Sequence, residues 1–137
     1  MKIDVFTNEG TEIYYDETLK SIIATYNGVV KYDDWVAHLE YALDLIKKHS
    51  TTKWLSDSRN AKVIAVNNQK YFEEVFVPAT HNATTMQYVA TVLSKDAFNE
   101  FGTRQLMNNY KSQVGEVAAN NQYFKTMEEA KEWLESR

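Results

Sequence analysis

Residues 86–93 read Met-Gln-Tyr-Val-Ala-Thr-Val-Leu. The run is nearly continuous in apolar and β-branched side chains, whereas a strand with one wet face would alternate. Such a strand has to be covered on both sides, and this constrains the rest of the chain. The cover is legible. Tyr32, Trp35, Val36, Leu39, Ala42, Leu43 and Ile46 fall at i, i+3, i+4, i+7, i+10, i+11 and i+14, an apolar stripe at helical period over residues 32–48. Asp33 and Asp34 stand in its first turn and Lys47, Lys48 and His49 in its last, both in accord with the helix dipole.

Other segments fall around this pair. Residues 3–6 form a short apolar run, a weak strand signal, followed by an Asn8-Glu9-Gly10 turn. Residues 11–16 and 19–26 are β-prone and separated by Glu17-Thr18, which predicts a hairpin; Asn27-Gly28 marks the strand exit. Residues 53–57 are a short strand candidate, with Ser58 to Asn60 as a loop. Asn67 or Asn68 is expected to cap a helix over about residues 69–76, and Pro78 to stop it. Ser94 is expected to cap a helix through Ala97, Phe98 and Phe101, with a break near Gly102 before a stripe at Leu106, Met107, Tyr110, Val114 and Val117. Tyr123-Phe124 is a last short strand candidate. Thr126-Met127-Glu128-Glu129 is a capping box opening a helix whose apolar face is Met127, Ala130, Trp133 and Leu134.

The order predicts an α/β fold: a sheet of about four to five strands with an N-terminal hairpin, covered by about four helices. The 137 residues show no repeat and no composition break, and read as a single domain over 1–137. Four glycines and one proline, against about 16 expected at average usage, exclude loop-rich and collagen-like classes. With glycines at 10, 28, 102 and 115, neither a P-loop nor a GxGxxG fingerprint can be written. The net charge of −4 and a longest basic run of Lys47-Lys48-His49 argue against nucleic acid and anionic membrane partners. Absence of cysteine excludes disulfide, thiolate–zinc and thiol chemistry. The first nine residues carry early charge and no apolar core, so no signal peptide is expected and the cytoplasm is the default compartment.

In this order the segments resemble the STAS superfamily (sulfate transporter and anti-sigma-factor antagonist), nearest its stand-alone bacterial, SEC14-like branch. Three stretches carry the likeness: Tyr26-Asn27-Gly28-Val29 with Tyr32-Asp33-Asp34-Trp35; Lys53-Trp54-Leu55-Ser56-Asp57-Ser58-Arg59; and Tyr123 through Leu134 with its Glu128-Glu129-Ala130 and Trp133-Leu134. The resemblance implies a regulatory module that docks a protein partner near the loop after the third strand and the start of the second helix. The matching residues here are Asp57, Ser58, Arg59, Asn67 and Asn68. The family's switch serine at that helix start is replaced by Asn67, the Asp-Ser-Ser-Gly pattern is missing, and Ser58 lies nearer the strand end, so the phosphoswitch does not transfer.

Catalytic readings are weak beside this. Asp57-Ser58 with His81 lacks a Gly-x-Ser-x-Gly elbow and reads as loop capping. His38 with Asp34, an i, i+4 pair, lacks HExxH spacing and reads as a solvated helix face. No cofactor or metal is expected, and no enzyme. The alternative function is a small-molecule or lipid carrier or sensor. Its aromatic pocket would be lined by Trp35, Trp54, Tyr71, Phe72, Phe76 and Tyr88, with Met86 beside them. The nine tyrosines also leave a homodimer open.

Overall fold

The structure, a computed structural model, describes residues 1–62, 64–83, 85–94 and 121–137. Six strands form one sheet in chain order: β1 (Lys2–Thr7), β2 (Thr11–Asp16), β3 (Ser21–Gly28), β4 (Lys53–Ala61), β5 (Tyr88–Leu93) and β6 (Asn121–Phe124). β1, β2 and β3 pair antiparallel, and β3 through β6 pair parallel. Helix α1 (Tyr32–His49) links β3 to β4. Between β4 and β5 lie α2 (Val66–Tyr71), a π-helical segment (Phe72–Phe76) and α3 (Val77–Ala83); α4 (Met127–Glu135) follows β6. The class is the α/β fold read from the sequence, with six strands in place of four to five. Both weak signals, at the two edges, are real strands.

The pleat sends successive side chains to opposite faces, and each face has its own core. Ile22, Trp54 and Val89 face α1 and the α2–α3 segment, with Trp35, Leu39, Ala42, Leu45, Ile46 and Phe76 against them. Ile23, Leu55, Ala90 and Val92 face α4, packed by Ala130 and Leu134. β5 therefore is buried on both sides, as its composition demands.

Four local expectations are corrected. Ser58 to Asn60 are strand, not loop. β4 runs on to Ala61 because Asn60 and Ala61 pair with Asn27 and Gly28 of β3. Asp57 and Arg59 hydrogen-bond each other there, across a register shift between β3 and β4. Neither Asn67 nor Asn68 caps α2: the helix opens after Ala65 without a side-chain cap, because the Asn68 amide turns away to the Val30 carbonyl at 2.8 Å. Pro78 does not stop the helix. Just before it the ladder widens to a π-turn, with Val77 N–H reaching the Phe72 carbonyl. That accommodates a residue that has no N–H and crowds the carbonyl four back. His38 is not on a solvated face. It is fully buried with Leu39, shifting the buried stripe of α1 to Trp35, His38, Leu39, Ala42, Leu45 and Ile46. The helices expected after Ser94 lie outside the described residues.

The ends behave as read. Gly28 leaves β3 at φ +65°, a left-handed conformation that costs other residues roughly 1–2 kcal/mol. Thr126 caps α4, accepting from the Glu129 N–H at 3.2 Å. One tie had no sequence signal. Asp4, at a β1 irregularity with φ 54°, binds Lys48 at 2.9 Å and His49 at 2.8 Å, so the edge strand is fastened to the end of α1. Those two contacts outweigh what burial does and hold the Asp4 carboxyl below its usual range.

Candidate functional site

Two zones emerge. The first is the far end of β4 with the start of α2. Asp57 is nearly buried, and Arg59 grips it with both prongs: Nε donates to Oδ1 at 2.9 Å and Nη2 to Oδ2 at 2.8 Å. The Arg59 backbone N–H adds a bond to Oδ1 at 3.2 Å. Burial alone would raise the Asp57 pKa, but these bonds outweigh it and hold the carboxyl below its usual range. They hold the guanidinium above its own. Ser58 is half-buried. Asn67 is exposed on α2. Asn68 is 2% exposed and engaged with Val30, so it is a structural residue and not a contact for a partner. Four apolar side chains are exposed without a sequence signal: Val29 and Tyr32 at the entry to α1, Val66 at the start of α2 and Val75 in the π-helical segment. The ring of Tyr32 meets that of Tyr71 edge-on at 6.2 Å.

The second zone is a cavity of about 60 Å³ between the sheet and helices α1 to α3. It is lined by Trp54, Phe72, Phe76, Met86, Tyr26 and Ser56, with Leu39, Ile46, Thr80 and Val89 completing it. Of the six aromatic pocket candidates, the structure brings together Trp54, Phe72 and Phe76. Trp35 packs in the same core without lining the cavity, and Tyr71 lies against that core beside Tyr32. Tyr88 is on the opposite face of the sheet, edge-on to Trp133 at 5.9 Å. The run of residues 86–93 hid this, because consecutive strand residues face opposite ways.

A line of polar groups runs along the cavity wall. Trp54 Nε1 donates to Ser56 Oγ at 2.6 Å, and the Tyr26 hydroxyl lies 3.0 Å from His38 Nε2. Tyr26 is half-buried as a residue, yet its hydroxyl end is enclosed, and burial pushes its pKa well up against the opposing pull of Ser56. Burial likewise pushes the His38 pKa down, to about 4, so the imidazole is neutral at neutral pH. Among the described residues its Nδ1 has no hydrogen-bond partner. Tyr26, Ser56 and His38 were missed as a group. The only available signal was their spacing on adjacent elements, which a single sequence does not connect.

Among the described residues no three His, Asp or Glu side chains converge as a metal site requires. Likewise among them, no helix is long and apolar enough to cross a membrane. His81 lies on α3, and its side chain is outside those described.

A search of solved structures matches the chain to an uncharacterised protein of the DUF3478 family from Shewanella loihica, described as having a SpoIIAA-like fold. The identity is 16%, the TM-score 0.60, and the match covers 94% of this chain and 98% of that one. A scan against protein-family models and a search of characterised proteins each found no match. At that identity the likeness establishes the fold: this chain has the SpoIIAA-like, STAS-like α/β architecture.

Proposed function

We propose that the chain is a non-catalytic regulatory module of the cytoplasm. It binds a protein partner through the end of β4 and the start of α2, without a serine switch. The SpoIIAA-like fold carries this reading. It is supported by the surface at that end of the sheet. Arg59 and Asn60 on β4, Lys62 after it and Asn67 on α2 are exposed, as are Val29, Tyr32 and Val66 on the segments that enter α1 and α2, and partner surfaces use such a mix of polar and apolar groups. Burial narrows the contact set to Ser58, Arg59 and Asn67. Asp57 acts in it by positioning Arg59. The test is co-purification of a stoichiometric partner from native cells, repeated with an Asn67→Arg, Val66→Glu double variant. Loss of the complex with an unchanged circular-dichroism spectrum supports the assignment. A complex that survives the double substitution removes this face from the proposal.

A second reading, a small-molecule sensor, rests on the cavity. Its volume of about 60 Å³ is well under the roughly 300–1,000 Å³ of sites for drug-sized ligands, so this form suits a small molecule and not a lipid chain.

A further inference from the structure

We infer that the face formed by α1 and the α2–π-helical segment docks a basic amphipathic helix of a partner protein. The inference rests on the partner reading above and specifies the partner's contact segment.

The face is built from two rows. On α1, Tyr32, Val36 and Glu40 recur at i, i+4 and i+8. Asn67 and Tyr71 are one turn apart on α2, and Val75 follows about a turn later in the π-helical segment. The rows meet where the Tyr32 ring stands edge-on to Tyr71 at 6.2 Å. Tyr71, Phe72 and Leu43 pack on the core beneath. Tyr32 stays 46% exposed and Val75 48%. Exposed apolar groups gathered on one face and rimmed by polar ones mark interaction surfaces.

The rim is acidic. Asp33, Glu40 and Asp44, at i, i+7 and i+11, form an exposed row along the outer side of α1, and exposed Glu74 adjoins Val75. Glu40 is close enough to Tyr71 for its charge to join burial in raising the hydroxyl's pKa. Residues 32–46 and 71–80 hold no Lys or Arg, although the chain has 15. Of the bases that bound these stretches, Lys31 pairs with Glu9 at 3.1 Å, and Lys47 and Lys70 are exposed.

That sign selects the occupant. Nucleic acid and anionic membrane are repelled. A second copy offers no match among the described helices, since α1 carries the same acids and α4 reads Met-Glu-Glu-Ala-Lys-Glu-Trp-Leu-Glu. A helix with an apolar stripe between Lys or Arg flanks answers both features. Its stripe covers Tyr32, Tyr71 and Val75, and its cations meet the acidic rim. Anchors one turn apart on both rows match a helix's own repeat.

The experiment titrates the full chain into three labelled synthetic peptides of about 15 residues, read by fluorescence anisotropy. One carries a leucine stripe at helical period with lysine elsewhere. The second has the same composition scrambled, and the third has glutamate in place of lysine. The striped lysine peptide is expected to bind at least about tenfold more tightly than the scrambled one, and the glutamate peptide not to bind. Glu40→Lys and Tyr32→Ala, both at exposed positions, should each weaken binding on the order of tenfold. Glu132→Lys, exposed on α4 across the sheet, should leave it unchanged. Equal binding of striped and scrambled peptides overturns the apolar docking face, and equal binding of the lysine and glutamate peptides overturns the charge selection. An equal loss from Glu132→Lys and Glu40→Lys overturns the location. If the striped lysine peptide does not bind, the basic-helix inference falls, and the partner reading falls with it only if co-purification also yields no complex.

Discussion

Replacing His38 with phenylalanine isolates the energetics of the buried polar line. His38 is fully enclosed, and burial lowers its pKa from 6.5 to about 4. The unfolded chain therefore holds more protons on this residue than the folded one between those two values. Stability from this source is fully present above pH 6.5 and is lost as the pH falls towards 4. At ~1.36 kcal/mol per pH unit the loss is about 3 kcal/mol. With a urea slope of about 2 kcal/mol/M, the unfolding midpoint should fall by about 1.5 M across that window. The His38→Phe protein lacks this loss. At pH 7 it should be less stable than the parent by about 1 kcal/mol, because the Tyr26 hydroxyl loses a partner. By pH 4.5 it should be at least as stable. Asp4 and Asp57, whose carboxyls sit below their usual range, act below this window. The assay is urea unfolding by circular dichroism at half-unit steps from pH 7 to 4.5. Parallel pH profiles for the two proteins would refute a buried, neutral His38.

Further outcomes follow from single contacts. Leu134→Ala removes the fully buried anchor of α4 over β4 and β5 and should cost about 2–5 kcal/mol in urea unfolding; a cost under about 1 kcal/mol would mean α4 does not seal that face. Gly28→Ala should cost about 1 kcal/mol from backbone conformation alone, since a Cβ there meets nothing within 4 Å. Gly28→Asn should cost less, and equal costs would contradict the left-handed geometry. Arg59→Ala strips a nearly buried carboxylate of its partner and should cost about 1–2 kcal/mol at pH 7. Because Asp57 titrates below its usual 3.8 when folded, the pair's contribution is present above that pH. The gap between parent and variant should therefore narrow as the pH falls below about 4, and a gap constant with pH would refute the pairing.

What was legible in the chain was what periodicity encodes. The stripe of α1, the doubly buried β5 and the Thr126 cap each rest on residues close in sequence. What was hidden depends on groups brought from elsewhere. His38 looked solvent-facing because histidine on a helix usually is. Its burial depends on a tyrosine hydroxyl from β3, twelve residues away. Ser58 to Asn60 read as loop by composition, but pairing with β3 keeps them extended. Pro78 signalled a stop, and the π-turn ahead of it cancelled that signal. Asn68 looked like a helix cap and a contact residue, and the Val30 carbonyl claims it instead. Half of the aromatic pocket was readable, from Trp54, Phe72 and Phe76. Its polar wall was not, since Ser56 and Tyr26 lie on separate strands and become neighbours only through the parallel register of β3 and β4.

The central claim is that this SpoIIAA-like domain works by docking a protein at the end of β4 and the start of α2. Site-specific photo-cross-linking in native cells tests it most directly, with the reactive group at exposed Asn67 and, as control, at exposed Lys131 on the opposite face of the sheet. The account expects one discrete protein adduct from position 67 and none from position 131, with the position-67 adduct lost when Arg59 is replaced by alanine. A discrete adduct from position 131 alone, or none from position 67, would contradict it.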